Sequence, residues 1–225
     1  MLIPPSVEAV VSLPGESKRF AASGVLTYLA NTISMGTEGG AIPYSVVTAI
    51  DPASPTAESL RLIDGGTAAS LEPGEVILNE WAADDLGAKP GDKITLSYYV
   101  TGAFGRLETR SEAFTLRGVV ALEGAAADTG FTPEYEGVTD TQNLADWDPP
   151  FPMDLSLIRD KDEAYWDSHH ATPKAFVSLE DGLRLWAHDG DRFGGFGLPE
   201  HRQCAGLEFR FGHPGCPVRR SAGSG

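Results

Sequence analysis

Nowhere in the 225 residues do apolar side chains run unbroken for the roughly 18 to 20 positions a membrane-spanning helix needs. The stretch from Leu2 to Leu13 is interrupted by Pro4, Pro5 and Glu8, and it has neither the basic start nor the apolar centre of a secretory leader. Cysteine is nearly absent. The two present, Cys204 and Cys216, both lie near the end, so no disulfide framework organises the rest of the chain. Basic residues are also few: 17 Lys and Arg stand against 32 Asp and Glu, a formal net charge of -15. Nucleic acid and anionic membrane surfaces are bound by clustered Lys and Arg, and this balance argues against both as partners. The chain lacks a G-x-S-x-G elbow, a dinucleotide or phosphate-loop glycine fingerprint, the EF-hand spacing, internal repeats and heptads.

What is present is ordinary globular material, 41% hydrophobic and 22% charged, long enough to bury a sizeable core. Its clearest stretch runs from Glu75 to Val100. Glu75 to Leu78 is a short β-branched and aliphatic run after Pro73-Gly74 and reads as a strand. Asn79 is suited to cap a helix, Glu80 places negative charge at its start, and Trp81, Ala82 and Leu86 share a face. Gly87 ends that helix, Lys89 to Asp92 make a tight turn, and Lys93 to Val100 is a second strand. Trp81 and Trp186 read as core anchors on apolar helix faces.

Further strands are expected at Val7 to Leu13, Val25 to Ile33, Pro43 to Ile50, Ala113 to Leu122 and Lys174 to Val177, with a hairpin tip at Gly102 to Arg106. Asp51 to Pro55 reads as turn, and Leu60 to Ile63 as short and extended. Asp160 to His169 reads as a short helix. Ser178 and Asp181 form an S-x-x-D start for a helix from Leu179 to Trp186, with Leu179, Leu183 and Trp186 on its packing face. The expected class is α+β: a mixed, largely antiparallel sheet with a few short packing helices. Residues 1–191 form the domain, divisible into subdomains at 1–70 and 71–191.

Two groups of residues invite a chemical reading. Asp140, Asp146, Asp148, Asp154, Asp160, Asp162, Glu163 and Asp167 run toward Ser168, His169 and His170; a metal or carboxylate site would need several of these oxygens to converge. The bland reading is a solvated acidic loop, within the irregular segment Glu123 to Pro152 and the helix that follows. The second group is His201-x2-Cys204 with His213-x2-Cys216, the residue types and spacing of a Cys2His2 zinc site. Unpaired thiols or a single disulfide are the alternatives there. These four residues sit in a tail, 192–225, with five Arg, two Glu and no Asp or Lys, unlike the acidic chain before it, and poor order is expected of it.

The segments VILNEWAADDLGAKPGDKITLSYY, FTLRGVVALEGAAAD, DWDPPFPMD, YWDSHHATPKAFVSLEDGLRLW and VLTYLANTIS, together covering most of Val25 to Phe193, resemble the extracytoplasmic, MacB-like periplasmic core domain of FtsX-like ABC transporter permeases. The resemblance implies a non-catalytic domain without cofactor, held between flanking transmembrane spans on the periplasmic side of the cell membrane. It implies a separate cytoplasmic ATPase subunit, and contact with substrate or a periplasmic partner protein. The alternative is a free-standing soluble metal-dependent hydrolase using the acidic loop with His169 or His170.

Overall fold

The computed structural model describes residues 6–7, 24–36, 40–101, 106–134, 137–147 and 151–186. Seven strands appear among them: β1 (Ser6–Val7), β2 (Gly24–Met35), β3 (Ala41–Ile50), β4 (Glu75–Asn79), β5 (Lys93–Thr101), β6 (Leu107–Val120) and β7 (Ala175–Ser178). Four α-helices accompany them: α1 (Pro55–Ser59), α2 (Glu80–Leu86), α3 (Asp160–His169) and α4 (Leu179–Trp186). The class is therefore mixed α and β, as the sequence implies. The sheet, however, is not open. In the order β2-β3-β7-β4-β6-β5 the last strand returns to the first, pairing Thr32 with Ser97 and Met35 with Ile94, so six strands close a barrel. β1 adds to the start of β2, where Val7 faces Gly24. Of the barrel pairings, β3 with β7 and β4 with β6 are parallel and the rest antiparallel.

The strand–helix–strand unit forms as its local chemistry dictates. Asn79 accepts a hydrogen bond from the Ala82 amide at 2.8 Å, and Gly87 ends α2 at φ +64, where a β-carbon would be strained. β5 pairs antiparallel with β6 from Lys93 opposite Thr115 to Thr101 opposite Leu107, as expected. The proline- and serine-rich turn after β3 winds into α1, capped by Ser54, a helix the sequence reading leaves as turn.

Alternation along the strands divides the core. Val76 and Leu78 of β4 and Ala175 and Val177 of β7 enter the main cluster with Val47, Ala49, Ile94, Leu96 and Phe114, and α2 and α4 complete it. The intervening Ile77 and Phe176 face a second cluster with Ile50, Leu60 and Val120. β3 is covered on its other face too, because Tyr44 and Val46 pack with Leu144, Trp147, Trp166 and Ala171. The irregular segment thus clads β3, tied down where Thr27 Oγ1 donates to the Phe131 carbonyl and Thr132 Oγ1 to that of Ala171, both at 2.7 Å.

Helix α4 departs from the expected face. Leu183 is 54% exposed, while Gly182, Leu185 and Trp186 are buried. The cause is close approach: a β-carbon on Gly182 would lie 2.3 Å from Ala49 Cβ, so the glycine lets the helix sit directly on β3 and turns Leu183 outward. The Ser178–Asp181 start does form, with the Asp181 amide donating to Ser178 Oγ at 3.1 Å and Ser178 Oγ donating to Asp181 Oδ2 at 2.8 Å. The expected strand at Val7 to Leu13 is described only at its start, and the hairpin tip lies almost wholly outside the described residues.

Candidate functional site

The acidic run is taken apart by the fold. Asp140 Oδ1 accepts the Gly137 amide, Asp146 Oδ2 the Asn143 side chain, and Asp154 Oδ1 the Ser156 amide, which are turn and cap roles. Glu163 Oε2 accepts the Leu144 amide at 2.9 Å, and Asp160 opens α3. His169 packs on Tyr165 with ring centroids 5.1 Å apart, and His170 meets Trp166 edge-on at 5.7 Å. Ser168 and Asp167 lie exposed on α3. Among the described residues no three His, Cys, Asp or Glu side chains come together to hold a metal ion. Asp148 and the zinc-like set His201, Cys204, His213 and Cys216 lie outside the described residues.

One of these acids does join a cluster, with partners the sequence reading did not single out. Asp162, fully buried, takes a two-pronged bond from Arg159, both contacts at 2.6 Å, and accepts the Arg159 amide at 2.9 Å. Arg159 also reaches Asp85 of α2 at 2.9 Å, and Lys161 pairs with the same carboxylate, so α3 is bound to α2 by charge. Beneath this pair lies Lys174, 4% exposed, just before β7. Its ammonium sits 4.5 Å from the ring centres of both Trp81 of α2 and Tyr165 of α3. Burial pushes the amine down from 10.5 to about 8; the Asp162 and Asp85 charges oppose the shift and Arg159 adds to it.

Asn79 holds the frame around that amine. Its amide nitrogen donates to the Tyr165 hydroxyl at 2.9 Å and the Pro173 carbonyl at 3.0 Å, while its oxygen caps α2 and its backbone N–H donates to the Lys174 carbonyl. Tyr165 in turn donates to the Thr172 carbonyl at 3.1 Å, and burial raises its hydroxyl above the ordinary range. A pocket of about 10 Å³, room for a single water, borders Lys174, Tyr165, Trp147, Thr172, Tyr44 and His170. Tyr44 (φ 40) and His170 (φ 48), the two non-glycine residues with positive φ among the described ones, both line it. Strain of this kind, costing on the order of 1 to 3 kcal/mol per residue, is kept only where the surroundings impose it. For Tyr44 one restraint is visible: its hydroxyl accepts the Asp154 amide at 2.6 Å, fastening the segment before α3 to β3.

Chemically, a buried amine with a lowered pKa is the profile of a nucleophile or base. Here, however, two aromatic rings flank the ammonium and the adjoining space takes one water. The arrangement suits a clamp that locks α2, α3 and β7 together, with the charged pair Arg159–Asp162 as its outer layer. The sequence offered one hint, a lysine set directly against the wholly buried run Ala175 to Ser178. Comparison with known protein families and with curated proteins finds no match to this chain.

Proposed function

We propose that the chain is the extracytoplasmic domain of an FtsX-like ABC transporter permease, a non-catalytic rigid body that transmits movement between membrane spans on either side of it and a partner or substrate outside. The resemblance of its ordered segments supports this reading. The geometric observation that carries it is the meeting of the first and last described elements on one strand: β1 pairs with the first residues of β2, and Trp186 of α4 stacks on Tyr28 of the same strand, centroids 4.9 Å apart. Gly24 and Tyr28 are only roughly 13 Å apart along an extended strand. These two elements therefore lie close together, an arrangement that suits a domain inserted between two spans. The closed barrel and the Lys174 clamp suit a part that moves as one piece. A cytoplasmic ATPase would then be a separate subunit, and a periplasmic protein a further partner.

The test is topological. With the full-length gene expressed in its host and Cys204 and Cys216 replaced by Ser, Asp64→Cys in an exposed turn should react with a membrane-impermeant thiol reagent in intact cells. Reaction only after lysis would place the domain in the cytoplasm and overturn the proposal.

A further inference from the structure

The β5–β6 ribbon outruns the barrel. β4 pairs with β6 only from Thr115 onward, and β2 pairs with β5 only through Ser97, so among the described residues no strand lies beside residues 107–113 on the side away from β5. Those residues are exposed apart from Glu112, which is half-buried. Leu107 is 38% exposed. An uncovered strand edge is a template for another strand unless its side chains forbid the pairing.

Here the side chains specify a partner. On one face of the ribbon, Glu108, Arg110 and Glu112 follow one another at every second residue, and Arg106, one step before the strand, continues the alternation of sign. Laid antiparallel against its own copy with Thr109 on the two-fold axis, this edge places Glu108 opposite Arg110 and Arg106 opposite Glu112, each pair occurring twice. Every charge on the face then meets one of opposite sign. Shifting the axis to Arg110 would set Glu108 against Glu112 and Arg110 against itself, so charge selects the register. Within one chain Glu108 and Arg110 already lie 3.9 Å apart and Glu112 pairs with Arg184, contacts between partly exposed groups that are readily re-formed across an interface.

We propose that this edge joins two copies of the chain by antiparallel strand addition centred on Thr109, a symmetric contact of the isologous kind. A single strand edge is a small interface, so the dimer forms at high local concentration and dissociates on dilution. The inference is independent of the permease reading, because it concerns the chain in solution.

Sedimentation of the whole chain from about 10 µM to 1 mM, a range spanning weak association, should show a monomer–dimer equilibrium. Arg110→Glu, which sets like charges opposite each other twice, should weaken it by at least about tenfold. The double exchange Glu108→Arg/Arg110→Glu restores opposite signs across the axis and should restore the dimer. In a Cys204→Ser/Cys216→Ser background, Thr109→Cys should cross-link to itself with a short bifunctional thiol reagent. Circular dichroism checks that each variant is folded. A monomer at every concentration, a dimer indifferent to Arg110→Glu, or a double exchange that stays as weak as the single one would each overturn the proposal.

Discussion

Replacing Lys174 with Met removes the buried charge while keeping an unbranched stem, and the lowered amine pKa fixes how the result changes with pH. With its pKa lowered from 10.5 to about 8, the charged amine costs the folded state about 3 kcal/mol relative to the neutral one. The two ring contacts at 4.5 Å return about 0.5 to 2 kcal/mol each. The rings together thus offset about 1 to 4 kcal/mol of that cost, so Lys174→Met should lie between about 1 kcal/mol less and about 2 kcal/mol more stable than wild type at pH 7, and the pH dependence of the difference is the sharper reading. Below pH 8 the amine is charged in both folded and unfolded chains, and the full cost is present. Between pH 8 and 10.5 the folded chain releases its proton while the unfolded chain holds it, so wild-type stability rises relative to the Met variant. Tyr28, Tyr44, Tyr98 and Tyr165, all raised first by burial, pull the other way from about pH 10, where the unfolded phenols ionise. Melts kept below about pH 10 stay short of that range, so the difference isolates Lys174. Urea melts of the two at pH 7, 8, 9 and 9.5 measure it. A difference between the two proteins that does not change with pH would refute the reasoning.

Asn79→Ala removes the α2 cap and strands the buried Pro173 carbonyl, so it should cost about 2 to 4 kcal/mol in a urea melt; a loss below about 1 kcal/mol would show that the cap and its neighbours rearrange freely. Gly182→Ala should destabilise by more than about 2 kcal/mol through its clash with Ala49, and the compensating Ala49→Gly should recover part of that loss in the double variant. Trp186→Ala should cost about 3 to 5 kcal/mol, and Trp81→Ala less, because Trp81 is only half-buried; thermal melts rank the two, and the reverse order would contradict the packing described.

What the sequence discloses and what it withholds divide along the range of the interactions involved. Asn79, Gly87 and the Pro90-Gly91 turn act within a few residues, and the unit they delimit forms where expected. The closing of the barrel rests on Thr32 to Met35 meeting Ile94 to Ser97, and no local signal encodes that meeting. The face of α4 differs from expectation because spacing marks Leu183 as apolar, whereas contact with Ala49 decides which residue can be nearest. The acidic run reads from sequence as a solvated loop or, if its oxygens converge, a ligand set. Several of its members stand two or three residues before or after the amide they bind, as Asp140, Asp154 and Asp162 do, a pattern legible as turn chemistry once the turns are placed. Lys174 had no signal of comparable strength, since its partners Trp81 and Tyr165 come from distant parts of the chain.

The position of β7 has a consequence for the order in which the molecule can be made. It is the strand that fills the gap between β3 and β4, with Val47 beside Ala175 and Val76 beside Val177. During synthesis those two neighbours emerge from the ribosome about 100 to 130 residues earlier, roughly 5 to 25 seconds of chain growth at ordinary elongation rates. Until residue 178 is free, the edges of β3 and β4 face solvent or one another without their native partner, and the apolar run of β3 is the most hazardous of them. Folding to completion therefore waits on β7, and a chain truncated before it should accumulate as an aggregation-prone intermediate rather than as a smaller stable domain.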